Sequence, residues 1–426
     1  CRSPRTIRGT FEAFRCDACA TGWSPRARSS TGRTETRGVT LAERSDFIIV
    51  GGGSAGCVLA ARLSENPALR VTLIEAGRDH DQSVANDLTD TAGMRAFMDP
   101  GYFWPDLQAR HVSAGPSGRP ARPPEPYKQA MLMGGGSSIN GQIALRGTPD
   151  DFDHWEQLGA TGWNWAAVLP FFRKLETDLD FSGGDHGTDG PILIRRTPRD
   201  EWDAVSLAMQ DVWSKLGYRR LADMNAEFGD GFGALPVSND GAFRSSTARR
   251  YLTAAARARP NLSILPETRA LSVDFRNGRA HGVVAVRGGR RMTLEAENVV
   301  LAAGALRTPA LVMLSDIGDA AALAKFGIAA ISHRPGVGAN LQDHANVVLS
   351  GCLASGAARD VSQRAVLTYL RYSSGLEGCE TSDMVMSVRG RSMWHAVGAR
   401  ICGLLTYVAL PWSRGTVGLA SADPMA

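Results

Sequence analysis

The chain has 426 residues, 43% hydrophobic and 21% charged, the composition of an ordinary globular protein with enough apolar material to core two or three domains. Its 47 basic residues include only four lysines, Lys128, Lys174, Lys215 and Lys325, and are set against 43 acids. Residues 1–45 hold nine arginines against Glu12, Asp17, Glu35 and Glu43, so this +5 extension carries the chain's formal +4 and leaves −1 for the rest; nothing in that nearly neutral remainder points to nucleic acid or an anionic membrane as a partner.

The first 45 residues are rich in Arg, Ser and Thr, poor in acids and without hydrophobic periodicity, and read as a disordered or extraneous extension. A mitochondrial transit peptide shares this composition, whereas the start at Cys1 in place of Met favours upstream sequence translated from an incomplete gene model. Cys16-Asp-Ala-Cys19 has neither a second Cys pair nor a neighbouring His, so the spacing is read as chance and no metal site is expected. Cys57, Cys352, Cys379 and Cys402 are scattered and the total of seven is odd, which fits a reducing cytoplasm. The longest late uncharged run, Ile401 to Ser413, is shorter than the roughly 20 residues of a membrane-spanning helix, so no transmembrane segment is expected.

The first structured stretch reads DFIIVGGGSAGCVLAARLSENPALRVTLIEAG, Asp46 to Gly77. Phe47-Ile48-Ile49-Val50 has the form of a strand buried on both faces, and Cys57 to Leu63 continues as a helix. Between them Gly51, Gly53 and Gly56 fit G-x-G-x-x-G: a tight turn, a close approach of pyrophosphate to bare backbone, and close helix–strand packing. The phosphates would lie at the helix N-terminus, among free N–H groups. Val71 to Ile74 is a second strand, and Glu75 at its end is placed to accept hydrogen bonds from an adenosine ribose. The fingerprint indicates a dinucleotide and leaves NAD and FAD both open.

Further along, Gly101-Tyr-Phe-Trp104-Pro105 is either a loop over a site or a hydrophobic clasp. Ser113 to Pro126 is too rich in Pro and Gly for a helix or a central strand and reads as a long surface connection. Met133-Gly-Gly-Gly-Ser-Ser-Ile-Asn-Gly141 offers glycines, hydroxyls and an amide that could lie against a flat ring system or a phosphate. Trp155, Trp163 and Trp165 are weighed as pocket or core, with packing favoured. Val299 to Gly304 is another buried strand ending in small residues, and Pro309 suits the first turn of the helix after it.

At these residues the chain resembles the glucose-methanol-choline (GMC) flavin oxidoreductases, particularly the choline-dehydrogenase-like members. The family's first signature is matched by MGGGSSINGQIALRGTPDDFDHWEQLGATGWNWAAVLPFFRKLE from Met133, and its second by GALRTPALVMLSDIG, Gly304 to Gly318. GVGANLQDH, Gly336 to His344, is similar to the family's boundary motif, and PWSRGTVGLASADP, Pro411 to Pro424, resembles an element of its substrate domain. The resemblance runs from about Asp46 to the end, in four ordered motifs.

The resemblance implies an α/β fold, a Rossmann-like FAD-binding domain with a second, antiparallel-sheet substrate domain that is incomplete. It implies an FAD-dependent dehydrogenase or oxidase that takes an alcohol to an aldehyde or ketone: a His removes the hydroxyl proton, hydride passes to flavin N5, and a quinone, another acceptor or oxygen reoxidises the flavin. By position Gly51, Gly53, Ser54, Ala55 and Gly56 would hold the pyrophosphate and Glu75 the ribose. Gly135, Gly136, Ser137, Ser138 and Asn140 would lie beside the flavin and its phosphates, Ala270 against adenine, and Gly304 and Ala305 near the cofactor. Some members attach FAD through a His before that Asn; Ile139 stands here, so non-covalent FAD is expected.

No catalytic residue is assigned, because the family's catalytic His block would lie beyond Ala426 and the chain reads as a C-terminally truncated fragment. His395-Ala-Val-Gly398 mimics that block upstream of its proper place. His154 is read as a helix-surface or capping residue, His344 as a structural hydrogen bonder, and His80, His111, His186, His281 and His333 as surface residues. The expected organisation is an extension at 1–45, an FAD region at 46–345 with a helical insertion near 155–225, and the start of a substrate domain at 346–426. A catalytically inactive FAD-binding fragment and an NAD-dependent Rossmann dehydrogenase are the alternatives.

Overall fold

The structure is a computed structural model that describes residues 10–11, 44–84, 86–92, 95–105, 107–110, 123–354, 364, 366–392 and 397–425. The CxxC motif, His111, most of the Pro-rich connection and His395 lie outside the described residues.

Strand β1 is Ser45–Val50, helix α1 is Ser54–Leu63 and β2 is Val71–Ile74. The folded part thus starts one residue earlier than expected: Ser45 is buried and its hydroxyl bonds Thr72 Oγ1 at 2.8 Å. A single turn of helix, α2, spans Gly136–Ile139. Pro149–Gln157 forms α3, started by a reciprocal capping pair in which the Thr148 hydroxyl accepts from Asp151 N and the Asp151 carboxylate accepts from Thr148 N. Helix α4, Trp165–Leu175, is capped by the Asn164 side chain, and helix α5 is Ala204–Lys215. Then follow β3 (Gly231–Ala234), β4 (Leu262–Leu265), β5 (Thr268–Arg276), β6 (Arg279–Arg287), β7 (Arg290–Leu301) and α6 (Gly304–Met313). The last elements are β8 (Asn346–Cys352), β9 (Val366–Tyr372), β10 (Met384–Arg389) and β11 (Ile401–Val408).

Six strands form one sheet in the order β5-β6-β7-β1-β2-β4, parallel from β7 to β4 and antiparallel from β5 to β7. Strand alternation splits its core into two layers. Ile49 and Leu73 pack with Cys57, Ala60 and Ala61 of α1, whereas Ile48, Val50 and Ile74 face Val283, Ala285, Leu294 and Leu311. This is the Rossmann-like arrangement that the resemblance implied, with the apolar runs as its buried strands. Pro309 falls in the second turn of α6, not the first, because the helix already begins at Gly304.

A second, five-stranded antiparallel sheet runs β8-β11-β10-β9-β3. One of its strands, β3, comes from within the stretch assigned to the FAD region. Trp213 of α5 packs with Phe232, Leu370 and Val388, so part of the helical insertion covers this sheet as well. At its far edge Val347, Val348 and Leu349 of β8 are exposed.

A buried ionic cluster overturns the reading of His186 as a surface residue: His186 is 4% exposed. Its Nδ1 lies 3.0 Å from Glu176 Oε1 and its Nε2 2.5 Å from Asp223 Oδ2. Arg146 Nη2 donates to Glu176 at 2.6 Å, and Arg196 bridges Asp178 and Asp223. Glu176, Asp178 and His186 converge as closely as metal ligands do, but the two guanidinium groups already supply the positive charge that a cation would bring. His80 and His281 are half-buried, and His333 is exposed. Removing one member of a buried ionic set leaves its partners' charge uncompensated. His186→Ala is therefore expected to lower unfolding free energy by about 3–5 kcal/mol, measured by urea titration; a loss below about 1 kcal/mol, the scale of an exposed pair, would contradict this account.

Candidate cofactor site

The site begins with two glycine turns brought together by the sheet. Gly51, with φ +102°, leaves β1; a Cβ there would stand 2.6 Å from Ala302 O at the end of β7. One on Gly56 would stand 1.9 Å from Gly51 O, so both residues are held to glycine by the protein itself. The second turn, Gly134 and Gly135, has positive φ at both residues. It docks on the first through a hydrogen bond from Gly134 N to Gly52 O at 2.7 Å, and a Cβ on Gly135 would lie 2.7 Å from Gly53 Cα. Below the junction the Cys57 thiol donates to Gly52 O, and burial pushes its pKa up to about 12.

Above the junction opens a cavity of about 700 Å³, within the range of cofactor sites. Eleven of the fourteen predicted residues line it: Gly51, Gly53, Ser54, Ala55, Glu75, Gly135, Gly136, Asn140, Ala270, Gly304 and Ala305. Gly56 stays in the helix–strand contact. Ser137 and Ser138 depart from expectation, because their hydroxyls close the turn internally, donating to Gly134 O at 2.6 Å and to Met133 O at 2.9 Å. Trp155 and Trp163 also lie away from the cavity, in an aromatic group around Phe152 on α3. Phe103 is buried with Leu88 and Ile139, while Trp104 lines the cavity under the guanidinium of Arg307, 3.8 Å away. The Gly101–Pro105 stretch is thus both clasp and wall. His154 stands on α3 facing Glu380 at 3.8 Å, and His344 Nδ1 bonds Val408 O at 2.7 Å.

Glu75 is 8% exposed and accepts from Gly52 N at 2.7 Å and Gly77 N at 2.8 Å. Burial raises its pKa above the ordinary carboxylate range, and backbone donors at Gly77, Gly52 and Ala76 work against that rise. A carboxylate has about four acceptor sites, so with three taken by the backbone it can still serve a ribose hydroxyl.

Three observations test whether FAD fits. A Cβ on Gly53 would meet nothing nearer than Ala302 O at 4.0 Å, and one on Gly136 nothing within 4 Å; these two glycines keep space free in the cavity, not in the protein. Gln129 Oε1 and Arg110 Nε are buried in the wall without a hydrogen-bond partner among the described residues, an arrangement that asks for a polar ligand. The N-terminus of α1 opens on the same space through Ser54 and Ala55, suited to a diphosphate. The residues fit the group. Sequence reasoning missed Gln129 and Arg110, for which no local pattern exists.

Because the space at Gly53 belongs to the cavity, Gly53→Val should fold, within about 0.5 kcal/mol of the parent, yet purify without flavin absorbance. Gly51→Ala should instead lose stability by about 1–3 kcal/mol through strain. Flavin absorbance per protein and a urea titration separate the two; undiminished flavin in Gly53→Val would refute the cavity's role.

The sequence model described as GMC oxidoreductase matches residues 45–346. The chain is 37% identical over 390 residues to 5-(hydroxymethyl)furfural oxidase of Methylovorus sp. (strain MP688), covering 89% of this chain and 72% of that protein. It is 35% identical over 330 residues to mitochondrial choline dehydrogenase of Homo sapiens, covering 76% of this chain and about half, 53%, of that protein. The crystal structure of pyridoxine 4-oxidase from Mesorbium loti superposes with a TM-score of 0.77 at 30% identity, over 89% of this chain and 74% of that one. With FAD as cofactor the NAD alternative falls away, and the chain belongs to the GMC oxidoreductase family, the FAD-dependent oxidoreductases acting on CH–OH donors.

Proposed function

We propose that the cavity holds FAD without a covalent bond and that the enzyme oxidises a neutral, ring-bearing primary alcohol to its aldehyde, passing electrons to a quinone, another acceptor or oxygen. The observation that carries this is the charge and chemistry of the cavity wall. Arg110, Lys128, Arg269 and Arg307 face Glu75 and Asp343, an excess of two positive charges that the diphosphate of FAD matches. No surplus negative charge remains to attract a quaternary ammonium substrate such as choline. Phe97, Trp104 and Tyr127 on the same wall suit a flat apolar body, and the relative of 37% identity is named as an oxidase of a furan alcohol.

FAD supplies the two-electron acceptor for the hydrogen on the carbinol carbon. The chain's own residues hold and orient: Gly51, Gly53, Ser54 and Ala55 would cradle the diphosphate, Glu75 the ribose, Ala270 the adenine, and Gly135, Gly136 and Asn140 the flavin side. Ile139 stands buried in the wall, and among the described residues lining the cavity there is neither His nor Cys, which supports non-covalent attachment. No proton-accepting His comes from these described wall residues.

Among the described residues no helix is long and apolar enough to cross a membrane. The cysteines Cys57, Cys352, Cys379 and Cys402 are free, which supports a reducing cytoplasmic setting.

Acid precipitation should release all flavin to the supernatant; a yellow pellet would refute the attachment. Titration of the flavin-loaded protein with benzyl alcohol or 5-(hydroxymethyl)furfural should perturb the visible flavin spectrum at concentrations about tenfold below those needed for choline, a preference of about 1.4 kcal/mol. Tighter choline binding would overturn the substrate class.

A further inference from the structure

The loop that follows the second glycine turn is held by one buried cation. Arg244 is 1% exposed, and its Nη1 donates to Asn140 O at 2.6 Å and to Asn140 Oδ1 at 3.0 Å, with Ser137 O at 3.4 Å. Gln142 N donates to the same Asn140 Oδ1 at 3.0 Å. Gln142 reaches that position by taking φ +60°, an uncommon conformation for a residue with a side chain. Its own buried amide fixes it there, donating to Asp90 O at 2.9 Å and accepting from Asn239 Nδ2 at 2.7 Å.

The two donors settle which way the Asn140 amide points. Its oxygen faces Arg244 and Gln142, so its NH₂ is left for the cavity that Asn140 lines with Gly135, Gly136 and Ile139. We propose that Arg244 is a positioning residue for the cofactor: it locks the Asn140 amide so that Nδ2 presents donors, and not an acceptor, to the flavin nucleotide. The inference rests on the cavity being the FAD site.

Stability alone does not account for Arg244. Among the described residues its Nε and Nη2 are buried without a partner, and a buried guanidinium with unmet donors costs more than its remaining hydrogen bonds return. Burial, with the neighbouring Arg364 cation, lowers its pKa to about 10, which leaves it charged at neutral pH. A net-unfavourable buried cation aimed at one loop is the pattern of a site residue.

FAD dissociation constants and visible flavin spectra of the full chain test this with Arg244→Met, Arg244→Lys, Asn140→Ala and the Arg244→Met/Asn140→Ala double variant, with flavin-free thermal midpoints reporting on folding. Asn140→Ala should weaken FAD binding about tenfold, the scale of one or two directed hydrogen bonds, and shift the flavin spectrum. Arg244→Met should do the same, and the double variant should lose nothing further, because both changes remove one oriented amide. Arg244→Lys, which keeps a cationic donor, should recover part of the spectrum. Losses that add to about a hundredfold in the double variant, or an Arg244→Met protein with lower thermal stability but unaltered flavin spectrum and affinity, would overturn the proposal and leave Arg244 a structural residue. If Gly53→Val loses flavin while Arg244→Met behaves as the parent, only this inference fails; if Gly53→Val keeps flavin, the reading of the cavity fails with it.

Discussion

The contact on which everything else depends is the meeting of two backbones at Gly53 and Gly135, where a methyl group on Gly135 would stand 2.7 Å from Gly53 Cα. The Gly134 N to Gly52 O hydrogen bond ties the turns together, and Glu75 ties the first turn to the end of β2. Chain segments more than eighty residues apart in sequence thereby become adjacent floors of one cavity. Because three of the participating residues take positive φ, the contact is built from conformations that only glycine adopts without strain. At Gly51, Gly134 and Gly135 it constrains sequence more tightly than apolar packing would, since a core tolerates volume-conserving exchanges and these positions have no space for a side chain.

That is why so much of the site is legible in the amino-acid sequence. Runs such as Phe47–Val50 announce buried strands, glycine spacing announces the turn, and Glu75 at a strand end announces an acceptor: each signal is local, and each corresponds to a local steric demand. Ser137 and Ser138 show where the logic stops, because a hydroxyl in a glycine loop can serve either a ligand or its own turn, and here both serve the turn. Arg110, Gln129 and Arg244 carry no pattern at all. Arg244 meets Asn140 across 104 residues, and only the folded chain brings them together.

The second sheet was harder to read for a related reason. Its strands β8 to β11 lie in sequence order near the end, but β3 and the covering helix α5 come from the middle of the chain, so no composition shift marks their allegiance. His186 reads as a surface residue because its neighbours in sequence, Gly183, Gly184 and Gly187, resemble a surface turn. What buries it is the convergence of Glu176, Asp178 and Asp223 with Arg146 and Arg196, where the two guanidinium groups offset most of the carboxylate charge and let the set leave water together.

The cavity wall is gathered from separated stretches between Val50 and Pro424, and none of them forms the pocket alone. A ligand that binds only this assembled wall adds its binding free energy to the folded state, about 2.7 kcal/mol when free ligand is one hundred times its dissociation constant. Vitamin supply then becomes a determinant of protein lifetime. In a riboflavin-starved cell the same polypeptide opens more often, is cleaved more readily by proteases that take open chains, and falls in abundance before any question of catalytic rate arises.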